Sequence, residues 1–267
     1  MNKLDNLKIR KETPGDYRAV EEMTREAFWK FWEPNQAICC EHYLVHLLRT
    51  VPTLVPELNL VAELDGKLAG HIIYTKSKIV DDNGREYETL TFGPITVMPA
   101  LQGIGLGQAL MRHSFAEAKR LGYRAVLIFG HPSYYPRAGF RPAAEFGIAT
   151  SDGHNRDAFM AYPLYDGALD GISGRYYIDP VYESATNEKA LEYDKRFPSK
   201  EPFFTTPLNV LLDRLEPDAR KALESTECQS IQMMTAFSER EISSLSGIDR
   251  QAIETIRSVL RWHDVKW

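Results

Sequence analysis

The feature that most constrains this chain is a glycine-rich turn between an extended segment and an amphipathic helix. Three glycines alternate in the turn, Gly103, Gly105 and Gly107. The β-forming run 87–97 precedes it, and residues 105–121 follow with apolar side chains at helical spacing. Glycine lets the backbone approach a ligand closely and adopt a positive φ. Because the free N–H groups of a first helical turn favour an anion, the pattern predicts a phosphate site.

Two common phosphate loops do not fit this turn. A Walker loop ends in Gly-Lys-Ser/Thr, whereas Gly107 is followed by Gln108 and Ala109. A dinucleotide-binding fingerprint reads GxGxxG and opens a βαβ unit, whereas this turn reads GxGxG and follows several predicted antiparallel strands. These residues alone leave two interpretations of the turn: it binds a different phosphate-containing ligand, or it is a tight turn that binds no ligand.

The hydrophobic periodicity predicts an α+β fold. Asp65 and Gly66 predict a tight hairpin turn between two β-rich runs, and 125–129 is a continuous apolar run typical of a strand buried on both faces. The predicted strands are 7–10, 58–64, 68–80, 87–97, 125–129, 139–142 and 157–162. The predicted helices are one that starts at 13–16, then 35–49 and 105–121. We therefore expect a mixed, mostly antiparallel central sheet flanked by helices.

The last hundred residues differ in character from the first 162. Residues 163–205 are rich in Tyr, Asp, Gly and Pro and predict a loop-rich segment, whereas 207–225 and 238–262 have helical patterns. We predict a domain over residues 1–162 and a mainly helical C-terminal extension over 163–267.

Composition and charge exclude several classes of protein. The chain has 267 residues, of which 43% are hydrophobic, so it can build a core. Its net charge of -5 argues against a globally basic nucleic-acid or membrane-surface binder. No run of 18 apolar residues predicts a membrane span, and the N-terminus lacks the apolar region of a secretory signal. The chain has three cysteines: Cys39 and Cys40 are adjacent, and Cys228 is distant in sequence. Because adjacent cysteines rarely form a disulfide and no CxxC pair is present to bind zinc, we predict a reduced, cytoplasmic protein.

Two motifs together resemble the GCN5-related N-acetyltransferase (GNAT) family. Residues 102–107 fit the pattern Q/R-x-x-G-x-G/A behind a strand that ends in Val97-x-Pro99, and 131–140 resemble the family's late Tyr-x-x-x-Gly-Phe element. The resemblance covers about residues 7–162 and is strongest to a bacterial branch with a C-terminal extension. It implies acetyl-CoA as acyl donor, held along the strand and on the turn. The implied cofactor-binding residues are Ile95, Thr96, Val97, Gln102, Gly103, Ile104, Gly105, Leu106 and Gly107.

The resemblance also implies direct attack of an amine on the thioester in a ternary complex. Tyr135 matches the family tyrosine near the sulfur and is the candidate acid for the leaving thiolate; a packing role, with Tyr134 as the functional residue, is the alternative. Two general bases are candidates, His131 just past the buried strand and Glu88 on the strand before the turn. A loop histidine, a solvated strand glutamate and a water chain are the alternatives. A strand amide near Ile95 or Val97 can stabilise the oxyanion.

Other partners are constrained less tightly. His42 and His46 lie one helical turn apart, but a zinc site would need a third ligand, so no metal is predicted. Residues 238–262 have the shape of a helix-turn-helix, which favours a rival function, a non-catalytic acyl-CoA-binding sensor or regulator. Five basic and five acidic residues in 238–267 cancel, which argues against DNA. The acceptor, a small-molecule or peptide amine, is not specified, and a monomer and a homo-oligomer are both compatible with the sequence.

Overall fold

The computed structural model describes residues 3–29, 39–131, 134–200, 206–226, 228–263 and 265. The chain divides into two compact units. The sheet unit comprises Met1–Ala27 and Cys40–Phe197, and the helical unit comprises Phe28–Cys39 and Pro198–Trp267. The predicted boundary between residues 162 and 163 falls within the sheet unit, and it stays a prediction about the extent of the first domain.

Among the described residues, the sheet unit contains a nine-stranded sheet. Its strands are β1 (Leu7–Lys11), β2 (Leu60–Leu64), β3 (Lys67–Val80), β4 (Glu86–Val97), β5 (Ala125–Phe129), β6 (Arg141–Pro142), β7 (Ile148–Thr150), β8 (Phe159–Pro163) and β9 (Gly174–Tyr177). The main strand order is β1-β2-β3-β4-β5-β8-β6, and β9 pairs with both β3 and β7. Of the strand pairs in the described part of the chain, only β4–β5 and β7–β9 are parallel, so the predicted mixed, mostly antiparallel sheet is confirmed.

Helices surround the sheet and build the second unit. The helices of the sheet unit are α1 (Tyr17–Phe28), α2 (Glu41–Leu48), α3 (Leu106–Arg120), α4 (Val181–Ser184) and α5 (Asn187–Asp194). Those of the helical unit are α6 (Asn209–Leu212), α7 (Pro217–Glu224), α8 (Glu239–Ser243) and α9 (Arg250–Trp262). None of the helices in the described part of the chain is long and apolar enough to cross a bilayer.

The two faces of the sheet are covered by different helices. The apolar stripe of α3 packs on the face formed by Ile72, Tyr74, Leu90 and Phe92, and the Tyr74 hydroxyl lies 2.7 Å from the Ser114 hydroxyl on that helix. On the opposite face α1 and α2 contribute Val20, Val45 and Leu48, which are fully buried. Side chains of β3 and β4 alternate between these two faces, so a residue's position in the strand determines on which face of the sheet its side chain lies.

The sequence missed several short elements. Residues 163–197 carry β9, α4 and α5, although their composition predicts loops. Their pairing partners are distant in sequence, because β9 lies against β3, about one hundred residues earlier. Local periodicity cannot detect such pairing, and four-residue strands give little signal of their own. The predicted helix 35–49 is observed as Glu41–Leu48, with residues 35–38 outside the described part.

Candidate active site

Strands β4 and β5 separate after a single pair of residues. Their parallel pairing is confined, within the described residues, to Leu90 and Val126, whereas β4 stays paired with β3 as far as Val97. The edge of β4 that would face β5 is therefore open from Thr91 onward. Unpaired backbone groups on such an edge are strong hydrogen-bonding sites for an extended ligand. The opening has the form of a cleft into which an elongated molecule can add like a strand.

A β-bulge shapes this open edge. Ile72 pairs with Ile95 and Tyr74 with Phe92, so two residues of β4, Gly93 and Pro94, lie opposite one residue of β3. A bulge bends its strand and reverses the alternation of side chains beyond it. Proline also contributes no N–H to the ladder. The bulge thus turns the last residues of β4 away from β5 and opens the cleft.

The glycine-rich turn lies at the end of β4 and begins α3. Gly105 is the N-cap of that helix with φ 92° and ψ 5°, a left-handed conformation that favours glycine. The first bond of the helix joins the Ala109 amide to the Gly105 carbonyl at 3.0 Å. The amides of residues 106–108 consequently lack helical acceptors and, with the helix dipole, form an anion site. The nine predicted cofactor-binding residues are therefore brought together at one end of the cleft, and their role stays a prediction.

Two adjacent tyrosines reach this cleft in different ways. The ring of Tyr135 packs against Phe92, with ring centroids 6.1 Å apart, and against Phe140 at 5.5 Å. Burial raises the pKa of its phenol, and neighbouring Tyr134 raises it further. The Tyr134 side chain is 41% exposed, and its hydroxyl lies 3.1 Å from the position a Cβ would take on Gly107. The Tyr135 ring is thus fixed by packing beside β4, whereas the Tyr134 hydroxyl reaches the first turn of α3.

The two candidate bases lie apart from each other. His131 is exposed after β5, and its carbonyl accepts hydrogen bonds from the amides of Tyr134 and Tyr135, so it shares their loop. Glu88 precedes the separation of the strands, and its carboxylate pairs with Lys76 at 3.0 Å. Since each strand residue advances about 3.3 Å, Glu88 is roughly 13 Å along β4 from Phe92, which contacts Tyr135. The structure therefore does not bring Glu88 to the candidate acid.

The paired histidines of α2 also have local partners. His42 is buried, and its Nε2 lies 3.2 Å from a carboxylate oxygen of Asp194. His46 lies with its Nδ1 3.4 Å from Glu21. Among the described residues, no group of three or more metal-ligating side chains could hold a metal ion.

Comparisons with known proteins agree with this geometry. The model of the Acetyltransferase (GNAT) family matches residues 21–140. The uncharacterized N-acetyltransferase YhbS of Escherichia coli is 30% identical over 167 residues, which are 62% of this chain and 92% of that protein. The uncharacterized N-acetyltransferase YjhQ of Escherichia coli is 35% identical over 89 residues, 33% of this chain, and the match spans about half of YjhQ's length, 49%.

Two solved relatives share the fold and contain a bound cofactor. The Escherichia coli YhbS structure, in complex with CoA, has a TM-score of 0.57 and 26% identity and covers 67% of this chain and 92% of its own. A GNAT family acetyltransferase from Brucella melitensis, in complex with acetyl-CoA, has a TM-score of 0.52 and 29% identity over 66% of this chain and 97% of its own. The chain belongs to the GNAT family of acetyltransferases. The predicted family, fold class and enzyme class, an acyl-CoA-dependent N-acetyltransferase, are confirmed.

Proposed function

We propose that this protein transfers an acetyl group from acetyl-CoA to a primary amine by direct attack in a ternary complex. The observation that carries the proposal is the open edge of β4 leading directly to the unpaired first-turn amides of α3. An extended pantetheine arm can pair with that edge near Ile95–Val97. A pyrophosphate can then accept hydrogen bonds from the amides at the start of α3. The CoA and acetyl-CoA complexes of the two solved relatives support this choice of donor.

The chemistry follows from the groups beside the cleft. The amine nitrogen attacks the thioester carbonyl, a strand amide near Ile95 or Val97 stabilises the oxyanion, and the C–S bond breaks to release a thiolate. Tyr135 donates its phenolic proton to that sulfur, and the resulting phenolate regains a proton from water. Because its raised pKa keeps the phenol protonated at neutral pH, it enters the reaction in the acid form. Water in the open cleft carries the amine's proton away, since Glu88 is paired with Lys76 elsewhere on β4. His131, on the same loop as Tyr135, stays a candidate for receiving that proton.

The cofactor site is tested by substituting Gly105 with valine. A β-branched residue resists the left-handed conformation, at a cost of about 1–2 kcal/mol or more, and it prevents close approach of a phosphate. We expect the affinity for acetyl-CoA, measured by isothermal titration calorimetry, to fall at least about tenfold, equivalent to about 1.4 kcal/mol.

Gly122 offers a matched control at the other end of α3. It has a similar φ, 89°, and, as at Gly105, an added Cβ would meet no atom closer than ordinary van der Waals contact. Gly122→Val should therefore introduce the same backbone strain and leave acetyl-CoA affinity unchanged. Equal affinities in both variants would place the phosphate site elsewhere.

Catalysis itself separates the proposal from the rival function of a non-catalytic acyl-CoA sensor. The assay follows release of the CoA thiol from acetyl-CoA in the presence of a panel of primary amines. Binding of acetyl-CoA without amine-dependent release would favour the sensor. We also propose a cytoplasmic location, on the basis of the cysteine usage alone.

A further inference from the structure

The segment 174–184, beyond the part of the chain that the family model matches, packs against the sheet beside the cleft. Strand β9 pairs with the end of β3, placing Tyr176 opposite Ile79. Helix α4 follows, and its Val181 packs with Leu48 and Ile73 on the face away from α3. The Asp179 carboxylate anchors the connection, because it accepts hydrogen bonds from the Val181 amide at 2.9 Å and the Thr53 hydroxyl at 2.6 Å. This segment is therefore a fixed part of the sheet unit.

Tyr176 lies at the point where β4 and β5 separate. Its side chain is 3% exposed, and its hydroxyl donates to the Leu127 carbonyl at 3.1 Å. Leu127 follows Val126, the last β5 residue paired with β4. The Thr91 hydroxyl, on the first β4 residue beyond the pairing with β5, also interacts with this phenol. The Tyr176 hydroxyl thus contacts both strands just beyond the residues that pair.

Tyr182 lies one step farther along the cleft. Its hydroxyl is 3.0 Å from the Thr75 hydroxyl, and its ring is 3.9 Å from the position of a Cβ on Gly93. Thr75 pairs with Thr91, so both threonines lie on the face opposite α3. The Tyr182 side chain is half-buried.

Two consecutive residues of β4, Phe92 and Gly93, therefore lie next to tyrosines on opposite faces of the sheet. Phe92 contacts the ring of Tyr135, the candidate acid, on the α3 side. Gly93 faces Tyr182 on the other side. A cofactor whose phosphates lie on the start of α3 occupies the first side, so the acceptor must approach its carbonyl from the second. Tyr182 stands at that approach.

We propose that Tyr182, oriented by Thr75, forms the wall of the acceptor site and limits the size of the amine that enters. This rests on the proposed acetyl transfer. The Tyr182 hydroxyl lies beside the uncharged Thr75 hydroxyl, and a fixed charge close to it is the Asp179 carboxylate. Such a wall attracts an ammonium group and repels a carboxylate. The fitting acceptor is a primary amine whose remainder carries no carboxylate.

The test uses the full chain and compares Tyr182→Ala with Tyr177→Ala. Tyr177 is a neighbouring tyrosine of the same segment, 39% exposed, so its loss controls for local disturbance. The acceptors are propylamine, phenethylamine, 2-naphthylmethylamine and phenylalanine. We expect Tyr182→Ala to raise kcat/KM for the naphthyl amine relative to propylamine about tenfold, and Tyr177→Ala to leave that ratio unchanged. Wild-type protein should prefer phenethylamine to phenylalanine, which differs from it by a carboxylate.

A second readout needs no acceptor. Removing the wall admits water to the thioester, so Tyr182→Ala should hydrolyse acetyl-CoA several-fold faster than wild type with the same calorimetric affinity for it. An unchanged amine ratio and unchanged hydrolysis would overturn the proposal, as would a tenfold loss of acetyl-CoA affinity confined to Tyr182→Ala. A preference of wild type for phenylalanine would overturn the assigned substrate class. Failure of wild type to bind acetyl-CoA at all would instead contradict the proposed function.

Discussion

Tyr134 and Tyr135 show how adjacent residues of one type acquire different chemistry. Their rings meet edge to face at 5.1 Å, yet Tyr135 is enclosed by Phe92 and Phe140 while Tyr134 is exposed. Within the described residues, the Tyr135 hydroxyl has no hydrogen-bond partner. A rigid phenol with an unused proton suits an acid that acts only when charge develops on a nearby sulfur.

Replacing Tyr135 with phenylalanine isolates that proton. The ring packing is kept, so we expect a loss in kcat of about 10²–10⁴-fold, roughly 3–5 kcal/mol, with acetyl-CoA affinity nearly unchanged. Tyr134→Phe is the control and should have the milder effect on kcat, because its hydroxyl reaches the start of α3. Steady-state kinetics and calorimetry separate the two quantities. Near-wild-type turnover in both variants would mean that water protonates the thiolate, and a large loss in Tyr134→Phe alone would reverse the two roles.

Single residues with a strict backbone requirement were the ones the sequence predicted best. Gly105 could be placed at a helix start because few other residues tolerate its φ, and the turn of Asp65 and Gly66 follows from the same restriction. Glu88 shows the limit. Its strand was predicted correctly, but where β4 parts from β5 depends on pairing between distant segments. The sequence pattern does not indicate where β4 and β5 stop pairing, so the distance of Glu88 from the cleft could not be predicted.

At the scale of elements, a buried charge network joins the residues just after β1 and α2 to helix α1 and strand β3. The Arg49 guanidinium, 5% exposed, contacts the Glu12 carboxylate at 2.7 Å and the Glu21 carboxylate at 2.6 Å. Asn59 donates to Glu12 at 2.6 Å and lies 2.8 Å from His71 Nε2. Burial and, to a smaller extent, the Arg49 cation together lower the pKa of His71 to about 3, so the imidazole is neutral at physiological pH. Two carboxylates and one cation are thus fixed under the helices.

This network predicts a large loss of stability for Arg49→Met. The substitution keeps much of the side chain's volume but leaves Glu12 and Glu21 buried without their cation. Breaking a buried pair in this way costs about 3–5 kcal/mol in the free energy of unfolding. Arg120→Met is the control, because Arg120 is 67% exposed and pairs with Glu117 on its own helix; it should cost under about 1 kcal/mol. Urea denaturation measures both. Equal effects of the two substitutions would show that the network is dispensable.

Long and regular helices and strands were predicted correctly from the sequence, whereas several short ones were missed. Strands β3 and β4 and helix α3 were identified because their apolar patterns run for a dozen residues or more. Strand β9 was missed, since its stability comes from β3 and β7 rather than from its own four residues. The omission mattered for function, because β9 and α4 carry Tyr176 and Tyr182.

At the scale of the whole molecule, the helical unit is the part that the comparisons say least about. Its core is formed by apolar residues of α6, α7, α8 and α9, among them Leu211, Leu223, Ile242 and Ile256. Ser238 and Asp249 are the N-caps of helices α8 and α9, and each side chain accepts a hydrogen bond from a backbone amide of its helix. Both helices lie within the predicted helical range 238–262, and whether they form a DNA-binding motif stays a prediction.

We predict that the full chain does not bind duplex DNA. Three basic side chains of the helical unit are engaged locally, because Arg257 pairs with Glu239, Arg250 with Glu254, and Arg220 with Glu224 and Asp213. A DNA-binding surface instead releases several counterions, so affinity would fall steeply between about 50 and 200 mM salt. A mobility-shift assay across that range should show no complex at micromolar protein. A complex that dissociates with rising salt, and that Arg257→Ala weakens, would restore the regulator as the function of this unit.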